Sequence, residues 1–141
     1  MLMSSVDTLV TAAIIRKNNN VLIAQRKKDS FLEPNKWEFP GGKIKDDERN
    51  EDCLIREIKE ELGIQIRIES LFLTTRHTYE KEGKKYPIVL FSYLSTWENG
   101  KLHHLDCQDT RWVDANDIET FDFAEADIPI VKKILHENLV F

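Results

Sequence analysis

The chain has 141 residues, a length that suits one domain built on a single core. Hydrophobic residues make up 41%, with seven Phe and three Trp among the large side chains, so a packed interior is expected and disorder is not. The formal net charge of −5, from 25 acids against 20 bases, excludes a nonspecific nucleic-acid binder, which would need a basic surface, but allows a small anion held through a metal.

The predicted elements open with two β-branched runs, Thr8–Arg16 and Val21–Arg26, separated by Asn18-Asn19-Asn20. Asparagine tolerates left-handed backbone, so the pair reads as a hairpin. The apolar stretch Leu9–Ile15, interrupted by Thr11, is too short to span a bilayer, and no basic segment precedes it; neither membrane insertion nor a signal peptide is expected. A polar loop over Lys27–Lys36 follows, and Trp37–Phe39 leads into the break Pro40-Gly41-Gly42. From Glu48 to Leu62 the spacing turns helical, with Leu54, Ile55, Ile58 and Leu62 on one face, Asp46 or Asp47 to cap the start and Gly63 the end. Two long strands, Gln65–Tyr79 and Tyr86–Trp97, are joined by the charged turn Lys81–Lys85, which contains Gly83. Asn99-Gly100 reads as a second turn, Arg111–Asp114 as a short strand, and Asp127–Leu139 as a helix with Ile130, Ile134, Leu135 and Leu139 turned inward. The order β-β-α-β-β-β-α predicts an α+β fold, an α/β/α sandwich with a mixed β-sheet between helices. No repeat, low-complexity tract or linker divides the chain, so one continuous domain over 1–141 is expected. Cys53 and Cys107 form no CxxC pair, and reduced thiols in a cytoplasmic protein are the simplest reading.

The polar face of the central helix is where the chemistry concentrates. Glu57, Glu60 and Glu61 stand at i, i+3 and i+4 with Glu51 and Asp52 a turn earlier, and each like-charge pair costs a bare helix roughly 0.2–0.5 kcal/mol. A hard divalent cation relieves that conflict, because Mg²⁺ takes oxygen ligands and keeps waters that substrate phosphates displace. A solvated acidic face is the plain alternative for three glutamates alone. The context favours the metal: Gly41-Gly42 lets backbone approach a metal or phosphate closely, and Arg56 can lock a carboxylate through two hydrogen bonds.

These residues resemble the box of the Nudix hydrolases, Gly-x5-Glu-x7-Arg-Glu-U-x-Glu-Glu-x-Gly-U with U a bulky apolar residue. Here it is Gly42, Glu48, Arg56, Glu57, Ile58, Glu60, Glu61, Gly63 and Ile64, without departure. An accidental match is on the order of 10⁻⁹ per starting position at ordinary residue usage. The resemblance implies an α/β/α sandwich in which Glu57, Glu60, Glu61 and the Gly42 carbonyl oxygen hold Mg²⁺, or Mn²⁺ as its substitute. Arg56 would orient the glutamates and Glu48 would support the box. A metal-activated water would attack phosphorus, with Glu57 or a distal acid as general base.

Asn35-Lys36-Trp37-Glu38-Phe39-Pro40-Gly41-Gly42-Lys43 and Ala24-Gln25-Arg26 are similar to the MutT branch, whose members convert nucleoside triphosphates to monophosphates and pyrophosphate. By that likeness Arg26 reaches the nucleotide, although a solvated strand-end arginine fits the position equally well. Asp106 lies six residues before Trp112, where the branch usually has a glutamate serving as metal ligand or base; Asp109 is its competitor, and an ordinary loop acid is the alternative for both. Asp127, in Phe123-Ala124-Glu125-Ala126-Asp127-Ile128-Pro129, stands where MutT-like enzymes set an Asn or Asp against the base edge, and it also suits a helix N-cap. An ionised carboxylate accepts hydrogen bonds only, which favours guanine, with its two adjacent donors, over cytosine. The 8-oxo form removed in nucleotide-pool sanitation is one such substrate; relatives that prefer cytidine triphosphates also carry Asp there. Among the aromatic residues Phe39, next to the glycine loop, is the candidate for stacking on the base. Tyr79 falls near a tyrosine of the diadenosine polyphosphate enzymes, whereas the proline of the ADP-ribose enzymes is missing after the box, the next being Pro87. A catalytically silent, nucleotide-sensing domain is the rival outside enzymes, and it typically loses box acids that are all kept here. The expected partner is a small nucleotide, without stable nucleic-acid or membrane binding.

Overall fold

A computed structural model describes residues 6–139, so the two ends of the expected 1–141 domain lie outside the described residues. The hairpin stands where the asparagines place it. Strand β1 (Thr8–Lys17) turns into β2 (Asn20–Gln25) through Asn18 and Asn19, at φ 51° and 66°. Two left-handed residues in succession match the twist of the flanking strands. The triplet before the box is not only a break: β3 (Trp37–Glu38) pairs with β2, and β4 (Gly41–Lys43) pairs with β1.

Helix α1 (Asn50–Leu62) begins two residues later than the spacing predicts. Its N-cap is Arg49, without a side-chain cap, rather than Asp46 or Asp47. Asp47 instead takes a left-handed turn conformation at φ 63°, and the Glu48 carboxylate accepts the Lys45 N–H at 3.0 Å, tightening the approach to the helix. Gly63 closes α1 at φ 73°, its N–H returning to the Lys59 carbonyl, as expected. Strands β5 (Ile64–Lys81) and β6 (Lys84–Gly100) form one long hairpin. The turn expected at Asn99-Gly100 is strand: Gln65 pairs with Asn99 and Ile64 with Gly100, whose φ of 104° ends the ladder. After β7 (Asp109–Val113) come two 3₁₀ turns, Ile118–Thr120 and Glu125–Asp127, then α2 (Ile128–His136), shorter than the Asp127–Leu139 expected.

The strands make one seven-stranded mixed sheet ordered β3-β2-β1-β6-β5, with β4 beside β1 and β7 beside β2. Among the described residues β1 and β6 are the only paired strands that run parallel, from Thr8↔Ile88 to Arg16↔Thr96. Strand alternation then builds two cores. Ala12, Ile14, Val21 and Ile23 point to one face and pack with Ile130 and Ile134 of α2. Ala13, Ile15, Leu22 and Ala24 point to the other and pack with Leu54, Ile58 and Leu62 of α1. The result is the expected sandwich. Among the described residues no helix is long and apolar enough to cross a membrane.

Candidate active site

The polar side of α1 meets β1, β4 and the long hairpin at a pocket of about 460 Å³, within the range of small-molecule sites. Glu57, Glu61 and Asp106 line it, as do Arg26, Glu38 and Asp127. Asp109, the competitor of Asp106, does not line it; its carboxylate is engaged by Thr110 N–H at 2.9 Å and by Arg111.

Arg56 organises the box. Its Nε and Nη2 donate to the Glu48 carboxylate at 2.7 and 2.9 Å, and its Nη1 donates to Glu57 at 2.9 Å and Glu60 at 3.1 Å. Hydrogen bonds from Arg56 and from the Lys45 N–H hold the Glu48 carboxyl down at about 2. Glu48 is therefore an anchor for Arg56. Both glycines stand in close approaches, Gly41 to backbone and Gly42 to a side chain. A Cβ on Gly41 would lie 1.9 Å from the Thr11 carbonyl oxygen, and one on Gly42 would lie 2.3 Å from the Glu57 carboxyl carbon. The Gly42 carbonyl oxygen accepts the Thr11 hydroxyl at 3.3 Å and faces the buried Cys53 thiol at 3.8 Å. Cys53 and Cys107 are both buried free thiols.

Glu61 is the unusual acid. It is only 7% exposed, and burial, then the charges of Glu38, Asp106 and Glu57, push its carboxyl up to about 9. Six carboxyls, of Glu33, Glu38, Glu57, Glu61, Asp106 and Asp127, line this pocket; Arg26 pairs with Glu38, Lys27 with Asp106 and Arg56 with Glu57, and among the described residues Glu61 has no ion pair. A divalent cation fits that donor set, being hard, doubly charged and content with carboxylate oxygens. Arg56 holds Glu57 and Glu60 to itself and Glu60 stays largely exposed; among the described residues no three such side chains stand already grouped as a cation cage.

The rest of the pocket is set by contacts across the chain. Arg26 is half-buried and paired: its Nη1 donates to Glu38 at 2.9 Å and its Nε to the Leu32 carbonyl at 3.1 Å. Burial raises the Glu38 carboxyl against the opposing pull of Arg26. Nothing in the sequence marks Glu38, one acid between two aromatic residues, as a pocket residue; the two-residue strand β3 brings it in. Asp127 does not cap α2 with its side chain. Its Oδ2 accepts the Phe39 N–H at 2.8 Å, and burial, then the charge of Glu38, raise its carboxyl well above the usual range. The Phe39 ring lines the pocket but is 2% exposed and stacks on Phe123, centroids 5.4 Å apart, so it contributes an apolar floor more than a free face. Asp106 is exposed and bridges to Lys27 at 3.0 Å.

This sandwich, with its acid-rich loop–helix–loop beside a nucleotide-sized pocket, is that of a hydrolase of phosphoanhydride bonds. The NUDIX domain model matches residues 7–134, and the chain belongs to that family. It is 31% identical over 133 residues to the 8-oxo-dGTP diphosphatase of Buchnera aphidicola subsp. Schizaphis graminum (strain Sg), an alignment covering 94% of this chain and 95% of that one. It is likewise 31% identical over 130 residues to the CTP pyrophosphohydrolase of Escherichia coli (strain K12), covering 89% of this chain and 90% of that one. The crystal structure of the MutT protein from Methanosarcina mazei Go1 superposes with a TM-score of 0.79 at 20% identity, over 98% of this chain and 99% of that one, a likeness of fold. Nudix hydrolases generally need a divalent metal and act on small nucleotides.

Proposed function

We propose that this chain is a single-domain, cytoplasmic enzyme that hydrolyses a (deoxy)nucleoside triphosphate to the monophosphate and pyrophosphate, with oxidised guanine nucleotides such as 8-oxo-dGTP as substrates and nucleotide-pool sanitation, hence DNA repair, as the role. One observation carries the reading: the box acids Glu57 and Glu61 and a set of base-sized polar contacts, Arg26, Tyr79 and Asp127, line one pocket. Glu57, Glu60, Glu61 and the Gly42 carbonyl would hold Mg²⁺, with Mn²⁺ as substitute. The bound metal neutralises phosphate oxygens and lowers the pKa of a water. Arg56 keeps Glu57 and Glu60 oriented and Glu48 keeps Arg56 in place. Glu57, packed on Gly42, is the general base, and Asp106 serves from across the pocket as a second acid. Phe39 floors the base site.

Asp127 changes the argument about the base. Burial favours its neutral form, and a neutral carboxyl offers a donor beside an acceptor. That pair complements guanine O6 and N1–H, and it complements cytosine N3 and its 4-amino group equally. The CTP pyrophosphohydrolase relative therefore supports (d)CTP as the second reading. Pyrophosphate release from 8-oxo-dGTP, dGTP, CTP and dCTP, with Mg²⁺ and with EDTA, separates the two. Turnover of one base class at least tenfold above the other assigns the substrate. Equal turnover of all four ends readout by Asp127, and AMP plus ribose phosphate from ADP-ribose as the dominant products would replace the triphosphate reading.

A further inference from the structure

We infer that Tyr79 is a specificity-determining residue whose hydroxyl donates a hydrogen bond to an acceptor on the substrate base, a carbonyl oxygen or a ring nitrogen. The inference rests on the nucleotide reading of the pocket and adds to it a contact of defined polarity. Tyr79 lines the pocket together with Arg26, Phe39 and Asp127. Its oxygen is already an acceptor, receiving the Ala126 N–H at 2.9 Å. A phenol has one proton to give, and that bond fixes the oxygen without using the proton. Among the described residues no acceptor takes it: the only hydrogen bond at this hydroxyl is the one it receives.

The ring is held as well as its oxygen. His77 packs edge-on against it with centroids 4.5 Å apart, and the His77 imidazole is itself tied to Glu125 at 3.1 Å. Glu125 and Ala126 belong to the 3₁₀ turn that also carries Asp127, so the hydroxyl and the Asp127 carboxyl are set by the same short element. Burial raises the Tyr79 phenol further above neutrality, so it stays protonated and able to donate. Arg26 lines the same pocket but is committed to Glu38 and Leu32 through Nη1 and Nε. Tyr79 thus supplies a neutral donor, which discriminates between bases by the presence of an acceptor rather than by charge.

The test pairs one variant with substrate analogues. Tyr79→Phe removes only the hydroxyl. The best triphosphate of the panel above is compared with analogues that each lack one base acceptor, such as an amino group replacing a carbonyl or a 7-deaza ring. For wild type, one analogue is expected to lose about 5–20-fold in kcat/KM, mainly through KM, the size of one unmade hydrogen bond in a site built for it. In Tyr79→Phe the parent substrate falls to meet that analogue, and the ratio between the two collapses to about twofold or less. A purely structural role, through the Ala126 N–H left unpaired, would lower every substrate alike and preserve the ratio; that result overturns the inference. Wild type that hydrolyses its best nucleotide yet is indifferent to every analogue overturns it too, without any variant, and leaves the hydrolase reading standing. Wild type that releases pyrophosphate from no nucleotide removes both.

Discussion

A carboxylic acid that holds its proton to about pH 9 is a liability to a folded chain, and Glu61 is such an acid. Below its ordinary value of 4.5 the group is protonated in folded and unfolded chains alike. As the pH climbs, the unfolded chain releases the proton while the folded one keeps it, so stability is full below about 4.5 and is lost as the pH rises towards 9. Glu61→Gln removes the penalty without changing shape. In EDTA at pH 8 the variant should melt above wild type by about 3 °C or more, on the order of 1 kcal/mol for a chain of this size, with the difference vanishing near pH 4. Mg²⁺ should then raise the melting temperature of wild type far more than that of the variant, and pyrophosphate release by the variant should fall at least ~100-fold. A variant that melts below wild type at pH 8 in EDTA would show that Glu61 stabilises the fold, contrary to this account.

At the scale of the element, the loop before α1 is constrained at two successive glycines in different ways. A methyl on Gly41 meets backbone, the Thr11 carbonyl of the neighbouring strand, and the β1–β4 pairing has to open to admit it. A methyl on Gly42 meets the end of a flexible side chain, the Glu57 carboxyl, which can swing aside. Gly41→Ala is therefore expected to lose several kcal/mol, or soluble protein altogether. Gly42→Ala should keep its melting temperature within ~5 °C and lose pyrophosphate release by roughly 100-fold, because the displaced group is the proposed base. Circular dichroism melts beside the release assay check both. The two glycines also show what a sequence gives up easily and what it hides. Their place before an acid-rich helix was legible, as were α1, the Asn18–Asn19 hairpin and the box. That β4 pairs with β1 was not, because three residues are too few to show a period. Asn99-Gly100 has the composition of a turn, yet pairing with Ile64 and Gln65 overrides that local preference. Asp127 looked like an N-cap by position, and only its contact with Phe39, 88 residues away in sequence, turns the carboxyl elsewhere.

For the whole molecule, the sheet is a partition. The helix that carries the box and the helix at the end of the chain rest on opposite faces, in clusters with no residue in common. Ile58 of α1 and Ile134 of α2 are both fully buried, so cutting either to Ala should cost about 2–5 kcal/mol, for the lost transfer energy and the cavity left behind. Residues without shared contacts contribute independently, and the double variant should lose the sum of the single losses within ~0.5 kcal/mol in urea unfolding. Function should divide where stability adds. At a temperature where both single variants remain folded, Ile58→Ala should also depress kcat, since Glu57, Glu60 and Glu61 ride on the helix it loosens. Ile134→Ala should leave kcat near wild type and act, if at all, on KM, because Asp127 lies one residue before α2. A double variant well off the sum would mean that strain crosses the sheet. The pocket, built from side chains on both sides of it, would then answer to packing as a single unit.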